Sequence, residues 1–305
     1  MSMQYQKARL CDSREEAKNY VGQCDAEMEQ RMETAVRSVA AAPGVRLIGL
    51  TGPTCSGKTT AARRLTEFFR TAGVHVHVVS IDDFYYDKTI LEERADKDPT
   101  VEVDYDSEDT IDTELLRTTA EALLSGKKTF LPQFDFHSGK RSGGKWLQAK
   151  ENDIFLFEGI QILYPKVRAI LEGADYRSVY ICPLSGIEAG GERFEPNEIR
   201  LLRRIVRDFR YRSAQPEFTF YLWQSVRANE EKNIFPYADR CNVAIDSSMP
   251  YEIGMLKPFL EELLRPIAPE HPFFGEAQRI LCKLQNVKPV SADFLTEKSL
   301  YKEFI

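Results

Sequence analysis

The sequence predicts an α/β protein with a mostly parallel sheet, helices on both faces and an N-terminal helical arm. Three features of the 305-residue chain indicate this fold. Short apolar runs alternate with segments of helical spacing, a Gly-rich turn joins the first run to the next segment, and a polar, helix-forming stretch precedes both. Strands that alternate with helices favour parallel pairing, because each helix carries the chain back across the sheet.

The pattern of each segment predicts its element in chain order. Residues 13–41 are polar and rich in helix formers, and they predict one helix or two outside the core. Apolar runs predict buried strands at residues 45–50, 74–80, 153–157, 178–182 and 242–246. Helical spacing predicts helices at residues 58–69, 112–124, 197–211 and 251–264. The Gly-rich residues 137–148 predict a hairpin or loop.

These elements divide the chain into three parts. Residues 1–43 form the N-terminal helical arm, residues 44–270 form the main domain, and residues 271–305 form a C-terminal helical extension. The length fits one α/β domain with appendages.

The composition argues against several classes of protein. The formal net charge of −6 disfavours a surface that coats nucleic acid. No window approaches ~18 consecutive apolar residues, so we expect no membrane-spanning helix. The six cysteines include no C-x-x-C pair, and the first twenty residues contain no apolar run of signal-peptide length. Together these features indicate reduced thiols in a cytoplasmic protein.

The strongest motif is a Gly-rich turn between the first predicted strand and the next helix. It reads Gly52-Pro53-Thr54-Cys55-Ser56-Gly57-Lys58-Thr59-Thr60 and fits the P-loop pattern G-x-x-x-x-G-K-[ST]. Backbone N–H groups and the positive helix end of such a loop hold phosphates. Lys58 is expected to reach the β- and γ-phosphates, and the Thr59 hydroxyl to bind magnesium. The motif predicts a P-loop NTPase-type fold that binds ATP or GTP with Mg²⁺.

An acidic pair, Asp82 and Asp83, follows the second predicted strand, at the edge where open α/β sheets bind ligands. A hydroxyl acceptor must lose a proton during phosphoryl transfer, and a nearby carboxylate can take it. A phosphate acceptor needs no base. The pair therefore favours a kinase that acts on a hydroxyl over a nucleoside monophosphate kinase. A helix cap or turn is the alternative for either residue.

Glu158 ends another apolar strand and is followed by Gly159. An acid at this edge suits a magnesium ligand, because Mg²⁺ keeps several waters and needs few protein ligands. A solvated glutamate is the alternative.

Six arginines lie within one predicted helix: Arg200, Arg203, Arg204, Arg207, Arg210 and Arg212. Four of them share a stripe, where like charges three and four residues apart repel one another unless anions neutralise them. Phosphates would supply that charge, so we expect the segment to close over them as a lid. A solvated basic face or a nucleic-acid contact is the alternative.

The histidines are weaker candidates for a site. His75 and His77 alternate along a predicted strand and are interpreted as structural. Only His137 follows other candidate residues, and no His/Cys/Asp cluster has the sequence spacing of a zinc site.

Together these motifs resemble the uridine kinase and phosphoribulokinase family over about residues 45–266. The matching motifs are Gly52–Thr60, Ser80–Tyr85, Asp104–Asp106, Phe134–Phe136, Phe157–Gly159 and Arg200–Asp208. The resemblance implies a P-loop kinase domain that moves the γ-phosphoryl group of ATP or GTP to the 5′-hydroxyl of a nucleoside, uridine or cytidine, in pyrimidine salvage. The chain is most similar to a bacterial branch of nucleoside (uridine) kinases.

The resemblance also implies roles for single residues. Asp82 matches the catalytic base and a magnesium contact, Glu158 matches the other magnesium-site acid, and Asp106 matches the acid that binds the ribose. The nucleoside pocket is matched by Tyr85, Phe134, Phe136, His137 and Arg200. Arg203 and Arg207 match the lid. Phe134 stands where the family has a base-contacting Tyr, and the loop after His137 differs from that of the uridine–cytidine kinases.

Other functions stay open from the sequence. A kinase of the same fold for a sugar, polyol or pantothenate-like acid is the nearest, since Asp106 would bind any vicinal diol. A P-loop regulatory ATPase is another, although the lack of an N-K-x-D motif disfavours a GTPase. We expect a small-molecule substrate and no nucleic-acid or membrane partner, and a homo-oligomer is compatible with the sequence.

Overall fold

The computed structural model describes residues 3–96, 107–173 and 175–305, and the elements below lie within these ranges. The strands are β1 (Tyr5–Lys7), β2 (Leu47–Thr51), β3 (Val76–Ser80), β4 (Thr129–Asp135), β5 (Lys140–Leu147), β6 (Ile154–Glu158), β7 (Tyr176–Cys182), β8 (Gly186–Ala189), β9 (Glu192–Phe194) and β10 (Val243–Asp246). The helices are α1 (Arg14–Ala40), α2 (Lys58–Thr71), α3 (Lys88–Asp96), α4 (Thr113–Leu124), α5 (Pro165–Leu171), α6 (Pro196–Arg212), α7 (Pro216–Asn233), α8 (Glu252–Leu264) and α9 (Phe274–Leu284).

The central sheet has five parallel strands in the order β10-β7-β2-β6-β3. Because the strands are parallel, their carboxyl ends share one edge, where Leu50 of β2 and Ser80 of β3 both pair with Glu158 of β6. The predicted α/β fold with a mostly parallel sheet is confirmed, and every predicted strand belongs to this sheet.

Helices cover both faces of the sheet, as predicted. Along β6, Ile154 and Leu156 join the hydrophobic cluster that contains α1, α2, α6 and α8, whereas Phe155 and Phe157 join the cluster that contains α4 and α5. The alternation follows from the two-residue period of a strand. A strand that is apolar at every position can be buried on both faces, which explains the continuous apolar runs in the sequence.

Two smaller sheets flank the central one. β1 pairs in parallel with β8, and β8 pairs antiparallel with β9. β4 and β5 form an antiparallel hairpin, so most of the Gly-rich segment 137–148 is a hairpin strand.

The N-terminal segment corrects one prediction. It contains a single long helix, α1, whose residues Val21, Met28, Met32 and Val39 are buried in the main hydrophobic cluster. The helix therefore lies in the core, and the prediction that it lies outside was wrong. Its apolar residues recur every three or four positions and form a narrow stripe along one face of the helix. Most of the residues between them are polar, so the sequence as a whole looks like that of an exposed helix. The strand β1 in the same segment was not predicted.

None of the helices in the described part of the chain is long and apolar enough to cross a lipid bilayer.

Asp25 joins α1 to the C-terminal segment. Its buried carboxylate accepts hydrogen bonds from the hydroxyls of Tyr251 (2.6 Å) and Ser299 (2.9 Å). It also accepts from the N–H (3.1 Å) and the hydroxyl (2.8 Å) of Thr296. Buried polar groups need such partners, so this carboxylate fixes α1, the start of α8 and the C-terminal segment to one another.

We expect Asp25→Ala to lower the free energy of unfolding by about 2–3 kcal/mol, because the donors it serves lose their acceptor inside the protein. Urea unfolding followed by circular dichroism measures this change. Asp12→Ala, an exposed position just before α1, is the control and should change stability by less than about 0.5 kcal/mol. Equal effects of the two substitutions would contradict the role of Asp25.

Candidate active site

The carboxyl ends of β2, β6 and β3 open into a cleft of about 780 Å³. The residues that line it are Thr54, Cys55, Lys58, Thr59, Asp82, Tyr85, Phe136, Glu158, Gly159, Ile160, Gln161, Arg204, Arg207, Arg212, Val226, Asn229, Glu230, Ile234 and Glu303. The cleft therefore combines the loop after β2, the acids at the ends of β3 and β6, and part of α6.

The predicted P-loop connects β2 to α2 and forms one wall of the cleft. Position 52 requires glycine, because a Cβ there would lie 2.0 Å from the carbonyl oxygen of Ile181. Gly57 has a φ of 100° directly before α2, a conformation that favours glycine. Since Gly57 has no side chain with which to cap α2, the first N–H groups of this helix depend on other acceptors. The loop therefore has the local geometry that phosphate binding needs.

The predicted nucleotide-binding residues divide into two groups. Thr54, Cys55, Lys58 and Thr59 line the cleft, while Gly52, Pro53, Ser56, Gly57 and Thr60 are buried. The ammonium group of Lys58 donates hydrogen bonds to the carbonyl oxygens of Gly52 (2.8 Å) and Pro53 (2.9 Å).

Asp82 lies in the 3-10 turn that follows β3 and faces the cleft. Its Oδ1 accepts a hydrogen bond from Nε2 of Gln161 (2.7 Å), and the same nitrogen donates to the hydroxyl of Tyr85 (2.7 Å). Burial raises the pKa of Asp82, and the Gln161 hydrogen bond and the charge of Lys58 oppose that rise. Gln161 therefore fixes the orientation of an acid beside the P-loop.

Glu158, at the end of β6, is the second acid in the cleft. Its Oε1 accepts a hydrogen bond from the hydroxyl of Ser80, 2.8 Å away on the neighbouring strand. Burial raises the pKa of Glu158, the Ser80 hydrogen bond lowers it, and the nearby charge of Asp82 raises it further.

The oxygen atoms at this edge of the sheet fit a magnesium site. Thr59, Asp82 and Glu158 all present oxygen to the cleft, which is the ligand type that Mg²⁺ prefers. Gln161 adds a buried Oε1 that has no hydrogen-bond partner in the described part of the chain. Two carboxylates whose pKa values are raised by burial would be stabilised in their charged form by a cation between them.

Asp83 has a different environment from Asp82. Its Oδ1 accepts a hydrogen bond from the N–H of Phe134 (3.0 Å), which ties the turn after β3 to β4. The two members of the acidic pair therefore divide their roles, with Asp82 in the cleft and Asp83 in the framework.

Two of the predicted lid arginines are not on an open surface. The guanidinium groups of Arg200 and Arg203 are fully buried. Arg200 forms a bidentate ion pair with Glu230, and Arg203 forms one with Glu252. They also donate to P-loop carbonyls, Arg200 to that of Thr54 and Arg203 to that of Cys55, both at 3.2 Å. These contacts correct the predicted placement of Arg200 in the nucleoside pocket and of Arg203 in a lid.

The prediction of an unneutralised arginine stripe was therefore wrong. The carboxylates that neutralise Arg200 and Arg203 lie 30 and 49 residues further along the chain, beyond the reach of a local pattern. The apolar side of α6, including Leu202, Ile205 and Val206, is part of the main hydrophobic cluster, which makes α6 a core helix.

The cleft instead receives Arg204, Arg207 and Arg212 from α6. All three approach the carboxylate of Asp208, with N···O distances of 3.1, 2.6 and 3.6 Å. Asp208 alone cannot balance three guanidinium groups, and Glu303, which also lines the cleft, adds a second carboxylate near Arg207. The guanidinium groups outnumber these two carboxylates, so they would attract an anionic ligand.

Aromatic side chains form the rim on the opposite side. The rings of Tyr85, Phe134 and Phe136 pack against one another with centroid distances of 5.1–6.1 Å. Tyr85 and Phe136 line the cleft, and Phe136 is 67% exposed. Phe134 contacts both rings but is not among the residues that line the cleft.

Like Phe134 and Arg200, His137 is a predicted substrate residue that is not among those that line the cleft. His137 is exposed in the turn of the β4–β5 hairpin, where its N–H donates to Asp135 (2.9 Å). Asp106 lies outside the described residues, so its predicted contact with ribose stays a prediction.

Within the described ranges, His75, His77 and Asp153 form a cluster of residue types that can bind a metal. Their potential ligand atoms lie within 4.8 Å of one another. It lies at the amino ends of β3 and β6, at the edge of the sheet opposite the cleft. The carboxylate of Asp153 is 2.7 Å from Nε2 of His77 and accepts from the N–H of Lys150 (2.9 Å). Because these bonds hold the turn before β6, we interpret the cluster as structural.

A family model decides the class of the protein. The model described as "Phosphoribulokinase / Uridine kinase family" matches residues 47–252, which is more than half of the chain. The chain belongs to this family. The matched segment begins in β2 and ends at the first residue of α8, so it contains the P-loop, Asp82, Glu158 and the arginines of α6.

Curated relatives within and beyond the uridine kinases are similar to this segment. "Uridine kinase" of Halobacterium salinarum is 32% identical over 164 residues, which are 53% of this chain and 61% of that protein. "Uridine kinase" of Clostridium novyi is 30% identical over 169 residues, 54% of this chain and 69% of that protein. "Inorganic pyrophosphatase TTM2" of Arabidopsis thaliana is 29% identical over 174 residues, 57% of this chain and 21% of that protein. The chain thus spans less than two thirds of two of these relatives.

Sequence reasoning did not identify several residues of the cleft in this family member. Gln161 lies three residues after Glu158 at the same edge of the sheet, a position that could have been inferred. Arg204 and Arg212 belong to the arginine segment that the sequence predicts as a lid, but the sequence assigns them no individual role. Glu303 comes from the C-terminal segment, 243 residues from the P-loop threonine that it contacts, and no local signal indicates it.

We expect Arg203→Met to lower the free energy of unfolding by about 3–5 kcal/mol, because Glu252 would remain buried without its partner. Arg210→Met is the matched control on the exposed side of the same helix and should cost less than about 1 kcal/mol. Chemical unfolding of both variants tests this. Recovery of much of the lost stability in Arg203→Met combined with Glu252→Leu would support the pair, and no recovery would argue against it.

Proposed function

We propose that the protein is a magnesium-dependent phosphotransferase that moves the γ-phosphoryl group of ATP or GTP to the 5′-hydroxyl of a nucleoside, uridine or cytidine. The observation that carries this proposal is the position of Asp82, an oriented carboxylate in the same cleft as the P-loop lysine. An enzyme of this kind would act in pyrimidine salvage in the cytoplasm.

The side chains of the cleft provide the parts of the reaction. Asp82 accepts the proton of the acceptor hydroxyl as the oxygen attacks the γ-phosphorus, and Gln161 keeps the carboxylate oriented. The bond from the γ-phosphorus to the β–γ bridging oxygen breaks, and the nucleoside diphosphate leaves with that oxygen. Lys58, Arg204, Arg207 and Arg212 offset the negative charge of the transferred group. Magnesium, held by Thr59, Asp82 and Glu158, would neutralise phosphate charge when bound.

The aromatic rim supports a nucleoside as the acceptor over a sugar or polyol. Tyr85 and the exposed Phe136 offer ring faces on which a planar base can stack, and an exposed phenylalanine has little reason to line a site for a polyol. A base stacked there would place its ribose between the rim and Asp82. A regulatory ATPase phosphorylates no acceptor, so it would have no use for this aromatic rim or for Asp82 as a proton acceptor.

We expect Asp82→Asn to reduce kcat by about 10²–10⁴-fold with little change in nucleotide affinity, because the proton acceptor is lost while Asn keeps an oxygen for magnesium and the phosphate contacts remain. Asp83→Asn is the matched control, since Asn keeps an acceptor for the N–H of Phe134 and should retain most activity. The assay is ATP consumption with uridine, cytidine, a hexose, a polyol or no acceptor. Consumption that is independent of acceptor would indicate a regulatory ATPase, and turnover of a polyol alone would reject the nucleoside.

The predicted ribose contact of Asp106 gives a second test. A 2′-deoxynucleoside would leave part of the acceptor capacity of Asp106 unused, so ribonucleosides should have kcat/KM values roughly five- to a hundred-fold higher. Asp106→Asn should reduce this ratio. Asp109→Asn, an exposed acid in the same segment, should not change it. Equal kcat/KM values for ribo and deoxy substrates in the unmodified protein would reject the role of Asp106.

A further inference from the structure

The last residues of the chain, 299–305, which we term the C-terminal tail, pack behind the P-loop. Leu300 is buried against Gly57, where an added Cβ would lie 2.7 Å from Cδ1 of Leu300. The buried rings of Tyr301 and Phe304 lie 5.6 and 4.8 Å from the guanidinium carbon of Arg203. These contacts hold the tail in one place relative to the loop.

The tail directs one carboxylate into the nucleotide cleft. Oε2 of Glu303 accepts hydrogen bonds from both the N–H and the hydroxyl of Thr60, each at 3.1 Å. Thr60 is the third residue of α2, so its N–H has no carbonyl partner within the helix. Glu303 therefore supplies the acceptor that Gly57 cannot.

The N–H of Thr60 is one of the groups that a P-loop uses for phosphate. Backbone N–H groups of the loop and of the first turn of its helix hold the α- and β-phosphates of a nucleotide. Glu303 lines the same cleft as Lys58 and Arg207 and interacts electrostatically with both. Its carboxylate thus has the charge, the donors and the neighbours that a nucleotide phosphate would have.

A carboxylate and a phosphate cannot both bind the N–H of Thr60. Their charges would also repel one another across a few ångströms. Because Tyr301 and Phe304 are buried, rotation of the Glu303 side chain is a smaller change than withdrawal of the tail.

We propose that Glu303 is an internal phosphate mimic that competes with the nucleotide for Thr60, and that it sets the affinity of the cleft for nucleotide. This proposal rests on the nucleotide-binding part of the proposed function but not on the identity of the acceptor. Nucleotide binding turns the carboxylate away from Thr60 while the aromatic anchors of the tail stay in place.

The test compares Glu303→Gln with Glu297→Gln, an exposed carboxylate of the same C-terminal segment. Isothermal titration calorimetry measures the Kd of Mg·ATP and Mg·ADP without any acceptor. Glutamine keeps the size and a weaker acceptor but removes the charge, so we expect Glu303→Gln to tighten binding by roughly 5- to 30-fold. Glu297→Gln should bind as the unmodified protein does.

Two results would overturn the proposal. Unchanged affinity in Glu303→Gln would make Glu303 a helix cap alone, and weaker affinity would make it a group that supports the nucleotide. If Glu303→Gln does not fold, a crystal structure of the unmodified protein with a non-hydrolysable ATP analogue decides the question. The carboxylate should then be more than hydrogen-bond distance from the N–H of Thr60, and a retained bond would reject competition.

The outcome is separable from that of the proposed function. If the unmodified protein binds Mg·ATP but phosphorylates no nucleoside, only the acceptor assignment fails, and the comparison of Kd values still applies. If neither the unmodified protein nor Glu303→Gln binds Mg·ATP, both the competition and the nucleotide site are wrong.

Discussion

The buried pair of Arg203 and Glu252 is the interaction on which the rest of the site depends. One guanidinium group contacts the carboxylate of α8, the carbonyl of Cys55 in the P-loop and the rings of the C-terminal tail. An ion pair without solvent is stable only when every donor has a partner. The P-loop, α6, α8 and the tail must therefore fold together. Arg200 adds a second link, because it donates both to the carbonyl of Thr54 in the P-loop and to the carboxylate of Glu230 in α7.

Different elements bring charged groups into the cleft. The carboxylates of Asp82, just after β3, and Glu158, at the end of β6, come from the sheet edge, the guanidinium groups come from α6, and the tail adds the carboxylate of Glu303. Strand ends and a helix face can hold opposite charges at a fixed separation because each is rigid. The parallel register and the packing of α6 thus bring acids and arginines into one cleft, an arrangement that no single motif contains.

The sequence was sufficient for features that depend on neighbours along the chain. Strand periodicity located Glu158, and the residues after β3 located Asp82, because parallel strands bring their carboxyl ends together. The residue pattern alone could not separate Asp82 from Asp83, since the partner of Asp83 lies 51 residues away at Phe134, and only the family resemblance assigned the base to Asp82. It could not identify Arg203 as buried for the same reason. A residue type and its spacing specify what a side chain can bind, and the fold specifies what it does bind.

The four hydrogen bonds of Asp25 have a consequence for how the chain can be divided. The segment that matches the family ends at residue 252, yet α1, α9 and the tail belong to the same hydrophobic cluster as the central sheet. A fragment trimmed to residues 47–252 would keep the P-loop, Asp82, Glu158 and the arginines of α6 and expose the apolar surface that these elements cover. The segment that is similar to the family is thus smaller than the part of the chain that folds cooperatively. If residues 47–252 were expressed alone, they would need the segments before and after them to avoid aggregation.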